Sequence, residues 1–486
     1  MFDEQDCKSM NKNLKNALIT VALLTALGGG LFYSTLDRKQ ETASRTAIAD
    51  ELAQAIVSGQ LAPGEKLLPH RVMAKRLGVT AGTIGRAYAS LERQALALAR
   101  VGDGTYVRNM DAHRADPDPD TALTYIDLAH NIAISTDETD ALQQSLVQLS
   151  RSPAATAGLL DYQPEAGMQR HRAVGASWLR RFGTTGAWRR VMVTHGAQHA
   201  LAAVLRTIAR PGDTVLTESL SYAGLMALTR SMRLQVIGLE MDEEGLLPDA
   251  LERAVLTYGS RLLFCTPSLH NPTTSTMSMQ RREAIAELVR RHNLLLMEDV
   301  VHAAAMADPP PALSSLVPDK SFLLASFSKV MAPGLRVGYL EASHPWLDKV
   351  AASIRSDCWM VAPLMPEIVT LWLENGAAEQ LIERQRADIA QRLHLARQCL
   401  QDHVLRWAPD MPHLFLPLPD PWRTQTFSAA LRQAGVLVRT MDHFAAGRAT
   451  PPQAVRISLN AAGSIERLRD GLQTVARVLR SDTTPG

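Results

Sequence analysis

The stretch S-F-S-K-V-M-A-P-G-L-R-V-G, Ser326 to Gly338, follows directly on the apolar run Phe322 to Ala325. A short apolar run of this kind reads as a buried strand, so Lys329 stands just past a strand end. A lysine in that position is ordinarily a solvated surface residue. Two framing serines and the P-G-L-R-x-G that follows set this one apart, because ligands of open α/β sheets sit at strand ends. Working outward, Val191 to Val193, Thr214 to Leu216, Leu262 to Phe264 and Leu294 to Met297 are further apolar runs, alternating with helical stretches such as Gln198 to Ala209 and Gln280 to His292. Buried strands alternating with helices predict an α/β domain with a mostly parallel sheet. From about Glu341 the chain has helical stretches at Ala378 to Cys399 and Ser464 to Leu479 with short strand candidates, which reads as a smaller α+β lobe.

The chain has 486 residues, of which 46% are hydrophobic and 21% charged. That length predicts about two to four compact units and excludes a single small module. The balance is that of a soluble globular chain rather than a disordered one. Cys7, Cys265, Cys358 and Cys399 stand far apart without paired spacing, so neither a disulfide framework nor a metal site is expected, and a reducing cytoplasm fits. Asn16 to Leu36 is uncharged and long enough to cross a bilayer, but it contains Asn16, Thr20, Thr25, Ser34, Thr35 and the triple glycine Gly28 to Gly30. Membrane anchor, poorly ordered extension, and start not belonging to the working protein stay open as readings of residues 1–36.

The formal net charge of +2 hides segregation: residues 37–110 hold eleven Lys/Arg against seven Asp/Glu. Within that basic segment Ile48, Leu52, Ala55 and Ile56 fall on one helical face, Arg71 to Leu77 forms a second helix closed by Gly78, and Thr80 is an N-cap for a third. Ile84, Ala87, Tyr88 and Leu91 recur at helical spacing, turning Thr83, Gly85 and Arg86 outward. Two helices joined by a three-residue turn make a helix-turn-helix. Leu96 to Arg100 and Thr105 to Arg108, joined by Gly102-Asp103-Gly104, predict a hairpin wing. Lys66, Arg71, Lys75, Arg76, Arg86 and Arg108 are candidates for phosphate contact, with Thr80, Thr83 and Arg86 at the end of the third helix that would face base edges. Residues 109–124, rich in Asp and Pro, read as a linker.

Two resemblances follow from these motifs. I-V-S-G-Q-L-A-P-G-E-K-L (Ile56 to Leu67), L-G-V-T-A-G-T-I-G-R-A-Y (Leu77 to Tyr88) and G-D-G-T-Y-V (Gly102 to Val107) resemble the winged-helix DNA-binding domain of the GntR family. Leu68 stands where that family often has proline, and Ala95 where it usually has a helix-ending glycine. The Lys329 stretch, with M-E-D (Met297 to Asp299), S-L-H-N-P-T (Ser268 to Thr273), T-H-G-A-Q (Thr194 to Gln198) and Tyr222, resembles pyridoxal-phosphate enzymes of fold type I, the aspartate aminotransferase group.

The second resemblance implies roles. Lys329 matches the lysine of the internal aldimine, Asp299 the carboxylate on the pyridine nitrogen, Asn271 the donor to the ring 3-oxygen, and Tyr222 the aromatic stacked on the ring. Ser326, Ser328, Arg336 and the backbone amides of Ala197 and Gln198 match a phosphate cup. Arg456, in A-V-R-I-S-L, matches the arginine that grips a substrate carboxylate. His302 replaces the family's tyrosine and, as a histidine, would titrate near neutral pH. Thr274 replaces a usual glycine. Together the halves resemble the MocR regulators. The implied organisation is a possible anchor or non-native start at 1–36, a reader at 37–108, a linker at 109–124, an aminotransferase-like domain at 125–340 and a small domain at 341–486. The implied function is a homodimeric, cytoplasmic, pyridoxal 5'-phosphate-dependent regulator that binds double-stranded DNA and senses an amino compound through an external aldimine. A working aminotransferase, amino acid to 2-oxo acid, with an appended DNA-binding domain is the alternative.

Overall fold

A computed structural model describes residues 45–58, 60–61, 65–94, 96–100, 104–107, 125–133 and 138–481. The chain divides at residue 114 into two compact units. The first contains three helices, Arg45–Val57, His70–Leu77 and Ala81–Arg93, and the antiparallel strands Ala97–Arg100 and Gly104–Val107. Ile48, Leu52, Met73, Leu77, Ile84, Ala87, Tyr88, Leu91 and Val107 form its core, so the apolar helical stripe points inward as the spacing predicts. Gly78 takes φ 66°, a left-handed stop that only glycine adopts cheaply, and the Thr80 hydroxyl accepts from the Thr83 amide at 3.1 Å to open the next helix. The Tyr88 hydroxyl donates to the Leu68 carbonyl at 2.8 Å. The segment Glu65 to Leu67 adds an edge to the hairpin through Leu67 N–H to Thr105 O and Val107 N–H to Glu65 O, both 2.8 Å. Ala95, Arg108, the predicted turn residues Gly102 and Asp103, the linker and residues 1–36 lie outside the described residues.

The second unit is built on a seven-stranded sheet. Its order is Val191–Thr194, Gly338–Ala342, Ser321–Ser326, Leu295–Asp299, Leu262–Cys265, Thr214–Glu218, Gln235–Leu239. Gly338–Ala342 runs antiparallel to both neighbours, and the other strand pairs are parallel. Four of the sheet's strands, the edge strand Val191–Thr194 among them, are buried along their length, which explains their continuous apolar runs. A four-stranded sheet, His413–Pro417, Ala454–Ser458, Val436–Thr440 and Ile126–Leu128, forms the smaller lobe with the helices Ala377–Cys399 and Ile465–Arg480.

Two lobe boundaries differ from the sequence reading. Ile126–Leu128 was expected in the large domain of 125–340; it pairs in parallel with Val436–Val438, and Leu128 is buried in the small lobe's core. The helices Leu347–Cys358 and Leu364–Asn375 were expected in the small domain from 341. Their apolar faces (Val350, Ile354, Ile368, Val369 and Trp372) instead bury against the cores flanking the large sheet. The division therefore falls within the helix Ala377–Cys399, whose first turns still belong to the large body.

A buried ion pair braces the region below the strand ends. Arg282, fully buried, donates to the carbonyls of Met277 at 3.1 Å, Pro311 at 3.3 Å and Pro267 at 3.1 Å, and to the Ser268 hydroxyl at 2.7 Å. It lies 3.8 Å from Glu298, whose carboxylate also accepts from the amides of Leu313 and Ser314. No helix among the described residues is long and apolar enough to cross a membrane.

Candidate functional site

At the carboxyl ends of the large sheet lies a cavity of about 270 Å³. Its lining includes Ala197, Gln198, Tyr222, Asn271, Asp299, His302, Ser326, Ser328, Lys329, Arg336 and Arg456, so eleven candidates from distant segments converge on one space. Asp299 and Ser326 are the last residues of their strands, Ser328 and Lys329 follow Ser326 directly, and Arg456 lies within the strand Ala454–Ser458 of the small lobe. Thr194 ends one strand and Gly196 begins the next helix, placing the amides of Ala197 and Gln198 in its first turn. Gly196 has φ 78°, and a Cβ there would lie 2.8 Å from the Arg336 guanidinium, so glycine is what lets the arginine approach. Arg336 donates to the Ser328 hydroxyl at 3.1 Å and the His195 carbonyl at 3.2 Å, while the hydroxyls of Ser326 and Ser328 are 2.9 Å apart.

Asp299 ends its strand and accepts from the Val301 amide at 2.8 Å. Burial pushes its carboxyl up to about 6, opposed by that hydrogen bond and by Lys329. Lys329 donates from Nζ to the Asn131 carbonyl at 2.5 Å. Asn271 Oδ1 accepts from Arg456 Nη1 at 3.0 Å, which leaves Nδ2 as the amide's donor. Arg456 also donates to the Ala129 carbonyl and lies 5.1 Å above the Phe444 ring, and its Nε is buried without a hydrogen-bond partner. Burial, then the neighbouring Arg439, push its guanidinium down to about 9. His302 corrects an expectation. Burial first, then Lys329 and Arg456, push it down to about 3, so it is a neutral ring across the neutral range rather than a group titrating there. Thr274 holds φ 65° at the position expected to need glycine, and its amide donates to the His270 carbonyl at 2.7 Å.

Several lining residues have no motif to announce them: His130, Asn131, Arg439, His443 and Phe444. His130 and Asn131 follow the strand Ile126–Leu128, and the other three belong to the small lobe. Gly224 also escaped the sequence reading; a Cβ there would meet the Tyr222 ring and Gln198 Oε1 at 2.3 Å, so only glycine admits both.

The cavity suits pyridoxal phosphate: an amine at Lys329, a carboxylate at Asp299, an amide donor at Asn271, and a cup of hydroxyls, guanidinium and helix-start amides that a side chain at Gly196 would fill. Gln198 Oε1 and Arg456 Nε, both buried in its wall, lack protein partners. In the smaller unit, Arg71 and Lys75 are exposed one turn apart on the second helix; Thr80 and Arg86 are exposed and Thr83 half-buried on the third. Lys66 is exposed, with its ammonium 5.5 Å from the Tyr106 ring centre.

Comparison with known proteins agrees with both halves. Residues 125–475 match the family Aminotransferase class I and II, and residues 44–107 match Bacterial regulatory proteins, gntR family. Among curated relatives, the uncharacterized HTH-type transcriptional regulator YdeF of Bacillus subtilis is 29% identical, over 91% of this chain and 95% of its own. The vitamin B6 salvage pathway transcriptional repressor PtsJ of Salmonella typhimurium is 26% identical, over 86% and 95%. The HTH-type transcriptional regulator TauR of Rhodobacter capsulatus is 26% identical, over 88% and 95%. Among solved structures, a kynurenine aminotransferase of Pyrococcus horikoshii superposes with a TM-score of 0.67 at 19% identity, over 76% of this chain and 96% of that one, which establishes the fold. With a gntR-type reader ahead of the larger unit, as in the MocR regulators, the chain belongs to the aminotransferase class I and II family.

Proposed function

We propose that this protein is a pyridoxal-phosphate-dependent transcription regulator, which binds duplex DNA through the gntR-type unit and senses a small amino compound in the cavity of the larger one. The observation that carries this reading is the convergence of Lys329, Asp299, Asn271, Tyr222, the Ser326–Ser328–Arg336 cup and Arg456 on one cavity, in a chain whose relatives are named as regulators along nearly their whole length.

Pyridoxal phosphate, when bound, supplies an aldehyde that captures primary amines and a ring that draws off electron density. The chain's own groups hold and select. Ser326, Ser328, Arg336 and the helix-start amides neutralise a phosphate dianion. Asp299 Oδ holds a proton shared with a ring nitrogen, and Asn271 Nδ2 and the neutral His302 donate to a ring oxygen. Arg456 grips a carboxylate on the incoming amine. In the smaller unit Arg71, Lys75 and Lys66 fit phosphate contacts, and Thr80, Thr83 and Arg86 fit base edges in a major groove. A homodimer, in the cytoplasm, presents two such readers to two half-sites.

Titrating purified full-length protein with amines, while following the visible cofactor band and operator affinity together, tests the reading. The expected result is a spectral change accompanied by a change in DNA affinity; a spectral change that leaves DNA affinity fixed for every amine overturns the sensing role. The same complete residue set fits a working aminotransferase, and sustained conversion of an amino donor with an oxo-acid acceptor would establish that second reading. Replacing Arg86 by alanine is expected to weaken operator binding by about 1–3 kcal/mol if it reads a base. An unchanged isotherm excludes that role.

The raised carboxyl of Asp299 gives a pH signature in protein stripped of cofactor. Its folded value, about 6, lies above the ordinary 3.8, so the fold binds the proton more tightly and loses stability as pH rises between those values. Asp299→Asn is expected to be the more stable protein at pH 8, by on the order of 2 kcal/mol, with the difference shrinking to nothing towards pH 3. Urea midpoints at the two pH values check this, and a difference independent of pH contradicts it.

A further inference from the structure

The helix that opens the phosphate cup, Gly196–Ile208, closes its first turn in an unusual way. Its N-cap is His195, whose side chain makes no capping bond. A reverse cap ordinarily comes from a glutamate or glutamine three residues after the N-cap, reaching back to the N-cap amide. Gln198 stands at that position, yet its Nε2 donates to the Gly224 carbonyl at 3.2 Å. The next residue does the work instead: His199 Nδ1 accepts from the His195 amide at 3.0 Å.

The other end of His195 is held by the cup itself. Its carbonyl accepts from Arg336 Nη2 at 3.2 Å, while Arg336 Nη1 donates to the Ser328 hydroxyl at 3.1 Å. His195 is thus clamped between an imidazole and the arginine of the cup, directly ahead of Gly196 and of Ala197 and Gln198, which line the cavity. An accepting Nδ1 requires a ring that carries its hydrogen on Nε2. That nitrogen lies 3.4 Å from Asp357 Oδ2 and 4.0 Å from Cys358 Sγ, and the same Asp357 oxygen lies 2.9 Å from Arg206. The His199 side chain is 9% exposed, and burial first, then His195, hold it below the usual histidine range, so the Nδ1 lone pair stays available at neutral pH. A neutral acceptor suits the place, because a glutamate making the same reverse cap would set a negative charge beside a phosphate dianion.

We propose that His199 is a positioning residue for the phosphate of the cofactor: by accepting from the His195 amide it fixes the turn that carries both the carbonyl anchoring Arg336 and the helix-start amides. This rests on the cofactor reading proposed above and adds what keeps the cup in shape.

The test titrates stripped full-length protein with pyridoxal phosphate and, separately, with pyridoxal, which lacks the phosphate, reading both affinities from the visible band. His199→Leu should lower the affinity for pyridoxal phosphate about fivefold or more and leave that for pyridoxal within about twofold. His199→Asn, whose Oδ1 stands where Nδ1 does, should restore the affinity for pyridoxal phosphate to within about twofold of the wild type. His199→Gln, whose amide reaches the place of Nε2, should behave as H199L does, and replaces it if the leucine variant does not fold. A readout free of the aldehyde is the rise in melting temperature that inorganic phosphate gives, expected to be smaller in H199L than in the wild type and H199N. An unchanged affinity for pyridoxal phosphate in H199L, equal losses for the two aldehydes, or no rescue by asparagine overturns the inference and leaves the proposed function standing. Wild-type protein that takes up neither aldehyde defeats the proposed function, and the inference with it.

Discussion

Purified Lys329→Ala protein is expected to bind pyridoxal phosphate at least about a hundredfold more weakly than the wild type and to lack the visible band of lysine-linked cofactor. The fold should hardly notice. Lys329 is half-buried and donates to the Asn131 carbonyl, and losing that bond amounts to about 1 kcal/mol of stability. Absorbance and a urea melt on the same sample separate the two effects. A lysine-linked band that persists in the variant would show that another amine holds the cofactor and that the cavity has been misassigned.

Arg282→Met is expected to have the largest effect on stability, about 3–5 kcal/mol. The arginine is fully buried and serves four acceptors, and its removal leaves the Glu298 carboxylate buried with only the Leu313 and Ser314 amides. Methionine fills the volume and none of those bonds. Arg282→Lys should rescue little, since one ammonium cannot span acceptors placed around a planar fork. Because Pro267, Ser268 and Met277 flank Asn271, the variant should also lose cofactor affinity while Lys329 and Asp299 remain in place. A urea midpoint shifted by less than about 1 kcal/mol would mean that the ion pair contributes packing alone.

How much of this was legible beforehand depends on whether the information was local. Lys329, Ser326, Ser328 and Arg336 share a dozen residues of chain, and Asn271 and Asp299 each sit in a compact motif, so their convergence could be anticipated. Arg439 carried no such signal: it is one cation in V-L-V-R-T, and only its register opposite Arg456 reveals it. His130 and Asn131 lie more than 300 residues from Ser458 in sequence, yet Ser458 bonds to both. The lobe boundary was misplaced because the helices Leu347–Cys358 and Leu364–Asn375 have apolar faces that look the same whichever body they cover. His302 was misjudged because residue type sets a reference value while burial beside two cations sets the actual one. The third edge of the wing, Glu65 to Leu67, is two bonds long, too little for any periodicity to register.

The strand Ile126–Leu128 has a mechanical meaning. Its carboxyl end runs straight into His130 and Asn131, which touch the cavity. Residues 126–131 are therefore a short covalent lever stitched to the small lobe: a displacement of that lobe cannot leave Tyr125 behind. A molecule that engages Arg456 would tug on residues 126–131 through the Ala129 carbonyl that this arginine holds, with no intermediary other than backbone.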